Sequence, residues 1–568
     1  MVIDTANESE ARGLTHERLS ISNRIGTRVY AVASDEVIAR LRARGARLEI
    51  LASPSREGYR SPTQINAALS ALVRPGVVLE TLGTSVNQVP ILALRIGDGP
   101  RHIRVLGGHH GDERPAIEFP TDWAAALLER RAVDSAFAAQ LVGLTVMVAP
   151  QVNPDGADLG QRYNAHDVDL NRNYGYAFAT DETQAGKEAF SEPETRAIAL
   201  DNEYHRYAAS LTYHTGASNI GYPWNYTTDA FTAEPRLEAA AQAYATIIGG
   251  AFYSIRGADW YISHGDTNDY SWGYFGAFDL TVELTGPIKT PDFAAVAAIE
   301  APHFTAADEW LNRAQDTALV HVIDANDGSA LSAQVYGGGV TTWSNVLDGM
   351  AQLQAAGGTT LTLSKPGYAD ALVTVGGSPA EVALIPFAAW PALPAPSEFA
   401  QNDALVFTLS DAMAVHAYKP GAADIDLTCT AGICSAVALP QRRPGLYDCA
   451  IFGSDAVAHP LRNCLLVHES VAADLGTQVA ATVIFAGSWG GATTAISPGA
   501  LAPTNAVLAW ASKGILYTQN NGVQTPPLGA PRLIKTRVHH GCSGTRSASG
   551  LALASLLMIL WRRRHAHF

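Results

Sequence analysis

The stretch Arg104-Val-Leu-Gly-Gly-His-His-Gly-Asp-Glu113 runs from an apolar segment through a glycine turn into a histidine and a glutamate three residues apart. Two side chains with this spacing lie on one face of a helical turn, so His110 and Glu113 can converge on one point. His214 ends another apolar run and offers a third group from a different element. Two histidines, one glutamate and an open fourth position are the ligand set of a catalytic zinc. The pattern predicts one Zn²⁺ per chain, and His109, which lacks the three-residue spacing, is the competing ligand.

The composition is that of a folded, acidic protein with several domains. The chain has 568 residues, enough for about three or four domains. Hydrophobic residues make up 47% and charged residues 16%, which indicates a packed core and argues against a disordered chain. The 54 acidic and 39 basic residues give a net charge of −15. Because nucleic-acid binding requires a basic face, the balance predicts no nucleic-acid partner.

Between Tyr59 and Arg313, strand-like apolar runs alternate with helical runs. The predicted strands are Ile91–Ile96, Ile103–Leu106, Leu144–Ala149, Leu211–Tyr213 and Leu280–Leu284, and the predicted helices are Asp122–Arg131 and Pro193–Arg206. This alternation predicts an α/β domain whose mixed, mostly parallel central sheet is flanked by helices. The strand before the glycine turn would deliver His110 and Glu113 to the carboxyl edge of the sheet, where such sheets bind their ligands.

Five separated segments in this region resemble, in the same order, the zinc metallocarboxypeptidases of the carboxypeptidase A/B and D/N/E type. The segments are 104–113, Asn153-Pro-Asp-Gly156 with Arg162 and Asp169-Leu-Asn-Arg-Asn173, Phe190-Ser-Glu-Pro-Glu-Thr195, Leu211-Thr-Tyr-His-Thr-Gly216, and Asp279-Leu-Thr-Val-Glu-Leu-Thr-Gly286. The resemblance covers residues 59–313 and implies that 59–315 form a catalytic domain of that family.

The resemblance also implies roles for the residues at matching positions. His110, Glu113 and His214 would hold the zinc. Glu283 would take a proton from the zinc-activated water and return it to the leaving amine. Arg162 would polarise the scissile carbonyl and stabilise the oxyanion.

A second set of matching residues would bind the substrate. Asn171 and Arg172 would clamp the free carboxylate at the peptide's C-terminus, since a guanidinium fork binds a carboxylate through two hydrogen bonds. Tyr261 stands where the family has a mobile tyrosine that closes over the substrate. Tyr253 and Tyr270 are its rivals.

Two positions that line the family's pocket for the terminal side chain are Asn225 and Asn268 here. An Asp at the first position attracts Lys and Arg in the D/N/E branch. Two neutral amides supply no buried charge for a cation, so the pattern favours neutral or polar terminal side chains.

The segments on either side of the domain are expected to be smaller units. Residues 1–58 contain a strand–helix–strand pattern (28–34, 35–45 and 47–51) and could form a pro-region or an N-terminal embellishment. The short strands of 316–387 resemble the transthyretin-like β-sandwich that follows some metallocarboxypeptidases. Residues 388–396 form a Pro/Ala linker. Residues 397–540 are β-rich and contain Cys429, Cys434, Cys449 and Cys464, whose spacing favours two disulfides and an oxidising compartment.

The C-terminal tail, 541–568, resembles the sorting tails of myxobacterial-type surface proteins. Cys542 precedes a short apolar run, Ala548 to Trp561, and a cluster of three arginines. This arrangement predicts an exported protein at the cell surface or outer membrane, which is attached through a short C-terminal helix or is handled by sorting machinery that could release it. Residues 1–24 lack the apolar segment of a secretory signal, and the expected explanation is a misplaced start.

Together these features predict an exported zinc metallocarboxypeptidase that hydrolyses the last peptide bond of peptides or proteins. Two alternatives stay open at this point. A peptidase for cell-wall peptides, such as a glutamyl-diaminopimelate bond, would use the same zinc and clamp. A surface binding protein would use the domain as an inactive scaffold, although such proteins usually lose a ligand or the base.

Overall fold

The computed structural model describes most of residues 1–468 and four strand segments beyond them. Left out within that range are 8–9, 11–13, 15–18, 26, 52–56, 183, 346–347, 377–378, 388–396, 401–403, 410, 420–421, 423 and 437–444. The segments described beyond it are 482–486, 507–512, 515–520 and 534–535. The predicted linker, Cys542 and the predicted tail helix therefore lie outside the described residues. In the part that is described, no helix combines the length and apolar character needed to cross a membrane.

The first unit is a small antiparallel sheet with one helix against it. Its elements are β1 (Val2–Asp4), β2 (Ser20–Ile25), β3 (Arg28–Val32), α1 (Asp35–Ala43) and β4 (Arg47–Glu49), with strand order β2-β3-β1-β4. Ser34 caps α1 by accepting from the backbone N–H of Val37. Val37 and Leu41 from the helix pack on Ile3 and Val29 from the sheet. The predicted strand–helix–strand pattern is confirmed, and β1 and β2 extend it.

The largest unit is an α/β domain built on an eight-stranded mixed sheet. Its strands are β5 (Val77–Thr84), β6 (Pro90–Gly97), β7 (Arg101–Leu106), β8 (Leu144–Ala149), β9 (Ala209–His214), β10 (Asn219–Tyr222), β11 (Tyr253–Arg256) and β12 (Phe278–Glu283). Their order is β11-β10-β12-β9-β7-β8-β6-β5. The central strands β12, β9, β7 and β8 are parallel, whereas β5 and β6 pair antiparallel with their neighbours. At the other edge, β10 runs antiparallel to β12 and parallel to β11. The predicted fold class is confirmed.

Helices accompany this sheet. They are α2 (Pro62–Ala71), α3 (Arg114–Val133), α4 (Ser135–Gln140), α5 (Pro154–Leu159), α6 (Pro193–His205), α7 (Glu234–Ile248), α8 (Gly257–Trp260), α9 (Thr267–Phe275) and α10 (Val296–Trp310), with 3₁₀ turns at Leu170–Arg172, Phe293–Ala295 and Leu311–Ala314. Apolar side chains of α3, such as Phe119 and Trp123, share one core with the buried strands. Because four parallel strands end at the same edge, the segments that follow β7, β8, β9 and β12 meet there.

Two small sheets follow and share one apolar core. One has the order β16-β13-β19 and the other β15-β14-β17-β18. The strands are β13 (Thr317–Asp324), β14 (Gln334–Gly337), β15 (Val340–Trp343), β16 (Met350–Gln354), β17 (Thr360–Ser364), β18 (Ala371–Thr374) and β19 (Ala380–Leu384). Val322 and Leu353 from the first sheet belong to the same buried cluster as Val335 and Leu361 from the second. This is the expected β-sandwich arrangement, while the transthyretin-like assignment stays a prediction.

The next unit is a seven-stranded sheet that carries both disulfides. Its strands are β20 (Ser397–Ala400), β21 (Leu405–Thr408), β22 (Ala414–Tyr418), β23 (Ile425–Thr430), β24 (Ile433–Ala436), β25 (Gly445–Phe452) and β26 (Ala458–His468), in the order β20-β26-β25-β22-β23-β24-β21. Cys429 pairs with Cys434 and Cys449 with Cys464, each across neighbouring strands. The two predicted disulfides are therefore confirmed. Four further strands, β27 (Thr482–Ala486), β28 (Val507–Ser512), β29 (Ile515–Asn520) and β30 (Ile534–Lys535), form a separate sheet.

The β units contact the α/β domain at the opposite end of its sheet from the carboxyl edge. Gln352 accepts from the backbone N–H of His102, at the start of β7, at 2.8 Å and donates to the carbonyl of His205 at 3.0 Å. Buried Lys419 of the seven-stranded sheet forms an ion pair with Glu203 on α6. These contacts leave the carboxyl ends of the parallel strands clear of the β-sandwich.

A buried carboxyl on α10 gives a testable pH dependence of stability. Glu300 is buried, and its Oε1 has no hydrogen-bond partner among the described residues. Burial, together with Asp122 and Glu118, raises the pKa of Glu300 from 4.5 to about 8. Because the folded state holds this proton at a higher pH than the unfolded chain, stability falls as pH rises between these two values.

We therefore expect Glu300→Gln to raise the free energy of unfolding by on the order of 2–3 kcal/mol at pH 7.5. At pH 4 the substitution should have little effect, because the wild-type carboxyl is then protonated in both states. Calorimetric Tm values at the two pH values measure the difference. An equal effect at both would show that Glu300 is ionised in the folded protein.

Candidate active site

The three predicted metal ligands come from two strand ends at the carboxyl edge. After β7 the chain turns at Gly107 and Gly108, and the positive φ of 66° at Gly108 is a conformation that glycine adopts without strain. His110 and Glu113 lie in the turn just before α3, with Glu113 at the N-cap position, so the expected helical turn is wrong. A backbone bond from Glu113 N–H to the His110 carbonyl, at 3.3 Å, nevertheless brings both side chains to one side. His214 is the last residue of β9.

These side chains meet at one buried point. His110 Nδ1 lies 2.9 Å from Glu113 Oε1, His214 Nδ1 lies 2.9 Å from Glu113 Oε2, and the two Nδ1 atoms are 3.2 Å apart. Ligand atoms on a tetrahedral zinc with bonds of about 2.0–2.1 Å are separated by about 3.3 Å, so the spacing fits this ion. Among the described residues, this is the one group of three such side chains that converges.

His109, the competing histidine, has a different environment. It is fully buried, and its Nε2 lies 2.9 Å from the hydroxyl of Tyr174. Its ring stacks beside that of His214, with 5.8 Å between centroids. His109 is therefore a neighbour of the converging group and is not part of it.

A carboxylate that the sequence analysis did not assign supports the first ligand. Asp169 Oδ1 lies 3.1 Å from Nε2 of His110, on the far side of the ring from Nδ1. A carboxylate in this position fixes the ring orientation and leaves the Nδ1 lone pair for the metal. Asp169 belongs to the same sequence motif as Asn171 and Arg172. Its place in that motif is the sequence feature that could have identified it as a site residue.

Removal of that support should weaken zinc binding. Because partners of this kind typically contribute 10- to 100-fold to metal affinity, we expect Asp169→Asn to lower the zinc affinity by about that factor. Competition with a chromogenic chelator measures the change. Asp167→Asn, at an exposed position two residues away, is the matched control and should leave the affinity unchanged. Equal zinc affinities for wild type and Asp169→Asn would show that Asp169 does not support zinc binding through His110.

Arg162 places a cation next to the metal ligands. Its Nη2 forms a 2.8 Å ion pair with Asp169, which fixes the guanidinium. Its Nη1 lies 3.2 Å from His110 Nδ1 and 3.7 Å from Glu113 Oε1. The cation thus faces the point at which the metal ligands converge, where it can donate to an oxygen that develops negative charge.

Lys289 is a second cation at the site that was not predicted from the sequence. Its Nζ lies 3.0 Å from Glu113 Oε1 and 3.3 Å from Asp112 Oδ2, and the side chain is buried. It lies in the loop after β12, so only the folding of that loop over the carboxyl edge brings it to Glu113. No local pattern in the sequence marks it.

Glu283 lies beside the metal ligands. It is the last residue of β12 and pairs in register with His214 on the neighbouring parallel strand. The side chain is buried, and its Oε2 has no hydrogen-bond partner among the described residues. Burial and the negative charge of Glu113 raise the pKa of Glu283 to about 8. A carboxyl with an unused oxygen and a raised pKa can exchange protons near neutral pH.

The predicted carboxylate clamp lies on the same segment as Arg162 and Asp169. Asn171 and Arg172 occupy the 3₁₀ turn Leu170–Arg172. The guanidinium of Arg172 is buried and bonds to Asp266 at 2.9 Å, and its Nη2 reaches the Tyr261 hydroxyl at 3.4 Å. Asn171 Oδ1 accepts from the backbone N–H of Thr267 at 3.0 Å.

The structure also distinguishes the three candidate tyrosines. Tyr261 is 42% exposed and lies over the guanidinium of Arg172, with 5.9 Å from the guanidinium carbon to the ring centroid. Tyr270 is fully buried in α9, and Tyr253 begins the edge strand β11. Among the three, Tyr261 therefore has the exposure and the contact that a mobile substrate-covering group requires.

The two pocket asparagines contact each other and a third polar group that was not predicted. Asn225 Nδ2 donates to Asn268 Oδ1 at 2.6 Å, and Asn225 N–H donates to the Asp269 carboxylate at 3.0 Å. Asp269 is completely buried, and burial together with Asp266 raises its pKa well above the usual range. A buried carboxyl group thus lies beside the two amides, so the expectation of two amides alone was incomplete.

Comparison with known proteins agrees with this geometry. Residues 65–295 match the family model described as zinc carboxypeptidase. Carboxypeptidase SOL1 of Arabidopsis thaliana is 28% identical over 226 residues, which are 36% of this chain and 45% of that protein. The catalytic chain of human carboxypeptidase N is 23% identical over 374 residues, 55% of this chain and 81% of that protein.

The similarity is limited in extent. The chain spans less than half the length of the Arabidopsis protein and 21% of rat carboxypeptidase D. A solved structure of carboxypeptidase A from Helicoverpa armigera is 20% identical, with a TM-score of 0.46, and the match covers 55% of this chain and 96% of that one. Residues 65–295 are thus similar to the zinc carboxypeptidase family model and to curated carboxypeptidases.

Proposed function

We propose that this protein is a zinc-dependent metallocarboxypeptidase that removes the C-terminal residue of peptides or proteins. The observation that carries the proposal is the position of Arg162, whose Nη1 lies 3.2 Å from the metal-facing nitrogen of His110. The guanidinium of Arg162, which can polarise a carbonyl, therefore faces the point at which the metal ligands converge. Ten residues further on, the same segment supplies Arg172, a cation suited to a terminal carboxylate.

The chain's own residues can bind and orient the end of a peptide. Arg172 offers its Nη2 edge, where the 3.4 Å contact with Tyr261 is long for a hydrogen bond and is readily exchanged. Asn171, on the same 3₁₀ turn, is the second clamp residue. Tyr261 can move over the bound end because its ring is partly exposed.

The chemistry divides among three groups. Zinc, when bound by His110, Glu113 and His214, supplies a Lewis acid that polarises the carbonyl and makes water more acidic. Arg162 donates a hydrogen bond to the carbonyl oxygen as negative charge develops on it. Glu283 takes a proton from the attacking water and gives it to the nitrogen of the departing amino acid, so the carboxyl ends the cycle as it began.

The preferred terminal residue follows from the pocket wall. Asn225 and Asn268 are neutral, and Asp269 is fully buried behind them. We infer a preference for neutral or polar terminal side chains, since the two amides supply no charge for a cation. A peptidase for cell-wall peptides, the alternative predicted from the sequence, would use the same clamp. The same assay tests it.

The test of this function is a comparison of peptides that differ only at the C-terminus. Wild-type protein should release the last residue from peptides with a free carboxylate and act far less on the same peptides with a terminal amide, because the amide lacks the charge that Arg172 binds. Equal cleavage of both forms would contradict the clamp. Faster release from muropeptides than from ordinary peptides would assign the enzyme to cell-wall substrates.

Export of the protein is a further part of the proposal. Two disulfides, Cys429–Cys434 and Cys449–Cys464, support it because such bonds persist in oxidising compartments. Surface attachment through the tail 541–568 rests on the sequence pattern alone. Localisation of the protein in its native cells, with and without that tail, tests it.

A further inference from the structure

The residue that pairs with the clamp arginine has an unusual position. Asp266 is the N-cap residue of α9, where an aspartate usually accepts from the first backbone N–H groups of the helix. Its side chain makes no such bond. Oδ1 instead accepts from Nη1 of Arg172 at 2.9 Å, and Oδ2 accepts from the Ser263 hydroxyl at 2.8 Å. The carboxylate therefore bonds to the clamp residue Arg172 and leaves the N-terminus of α9 without a side-chain cap.

The surrounding backbone holds this pair in place. Gly265 has a positive φ of 74°, and a Cβ there would meet the Arg172 carbonyl oxygen at 2.3 Å. Only glycine allows this close approach. Tyr174 N–H donates to the Gly265 carbonyl at 3.0 Å, and Thr267 N–H donates to Asn171 at 3.0 Å. Asp266 is thus fixed on both sides to the segment that carries the clamp.

The pair also sets the charge that an incoming carboxylate meets. Asp266 and Arg172 are both buried, so water screens their charges weakly. A terminal carboxylate bound to the guanidinium would lie close to the Asp266 carboxylate. The released amino acid carries the same carboxylate, so the repulsion weakens the binding of substrate and product alike.

We propose that Asp266 is a positioning residue that fixes the guanidinium of Arg172 and, through its negative charge, limits how tightly the clamp holds a terminal carboxylate. The inference rests on the proposed function, since it takes Arg172 as the carboxylate-binding residue. It adds a role in product release: a clamp without this counter-charge would retain the amino acid that it has just cut off.

Two substitutions separate the two parts of this role. Asp266→Asn keeps an acceptor for Arg172 and Ser263 but removes the charge. Asp266→Ala removes both. Asp259→Asn is the matched control, because Asp259 is a half-exposed acid on the neighbouring α8 that pairs with Arg256. Asp266→Gln, which keeps an amide oxygen as an acceptor but carries no charge, is a second test of the charge should Asp266→Asn fold poorly.

The measurements use the zinc-loaded full chain and an N-acetyl dipeptide that ends in the residue wild type releases fastest. We expect Asp266→Asn and Asp266→Gln to bind the free amino acid product at least tenfold more tightly, as a lower inhibition constant and as a lower Kd by calorimetry in the Glu283→Gln background. Asp266→Ala should raise KM about tenfold because the guanidinium loses its orientation. The control should match wild type in every measurement.

The outcomes distinguish the proposed role of Asp266 from the proposed carboxypeptidase function on which it rests. If wild type releases C-terminal residues in a manner that depends on Arg172, but the uncharged variants bind the product no more tightly, the role of Asp266 is overturned. If wild type shows no preference for a free carboxylate over an amide, the proposed function itself fails.

Discussion

Replacement of Glu283 by glutamine should reduce kcat for C-terminal residue release by about 10⁴-fold. The estimate lies at the upper end of the range for a general acid–base group because one carboxyl handles both proton transfers. Glutamine cannot accept the proton of the attacking water, yet it has nearly the same shape. KM and zinc content should therefore stay close to those of wild type, since neither the clamp nor the three ligands change.

The matched control for this prediction is Glu300→Gln. Glu300 is another buried glutamate with a raised pKa, but it lies on α10, away from the metal ligands. The control should keep the wild-type kcat. Steady-state kinetics and metal analysis of the two variants provide the comparison. Retention of more than a tenth of the wild-type kcat by Glu283→Gln would assign the proton transfers to another group.

Loss of the carboxylate clamp at Arg172 should raise KM. Removal of Arg172 alone would leave Asp266 as an uncompensated buried charge, which typically costs about 3–5 kcal/mol of stability. The pair is therefore replaced together, as Arg172→Gln with Asp266→Asn. We expect this double variant to raise KM for free-carboxylate peptides by about 10²-fold and to change kcat only a few-fold, since the reacting groups are intact.

Two comparisons check the origin of that effect. Asp266→Asn alone retains the guanidinium and should not raise KM. Peptides with a terminal amide should be cleaved equally poorly by wild type and by the double variant, because neither can make the charged contact with them. An unchanged KM for free-carboxylate peptides would show that Arg172 does not bind the terminal carboxylate.

The parts of the site that lie at strand ends were predictable from the sequence. An apolar run followed by Gly107 and Gly108 marks a strand that enters a turn, and the spacing of His110 and Glu113 makes them neighbours whether the turn is helical or not. His214 and Glu283 close apolar runs in the same way. Local patterns of this kind survive folding because strand ends gather at one edge of the sheet.

Groups that depend on loops crossing that edge were not predictable. Lys289 reaches Glu113 only because the loop after β12 folds over the carboxyl edge. Asp266 has the sequence context of a helix cap, and only the tertiary structure shows that its carboxylate bonds to Arg172. A sequence pattern indicates which groups are available, while the pairing of buried charges is decided by distances across the fold.

One helix boundary was wrong for a related reason. The helix expected at Asp122–Arg131 begins eight residues earlier, at Arg114. Pro120 suggests a loop, because proline lacks a backbone N–H and disfavours a helix interior. Burial of Phe119 and Trp123 in the core stabilises the longer helix.

In the proposed function, one zinc at His110, Glu113 and His214 drives C-terminal hydrolysis. The most direct measurement is a titration of chelator-treated protein with Zn²⁺ while residue release is followed. We predict that activity is lost on metal removal, returns linearly and stops rising at one equivalent per chain, and that His214→Ala recovers none of it. Activity that survives complete metal removal, or zinc-restored activity in His214→Ala, would contradict the account.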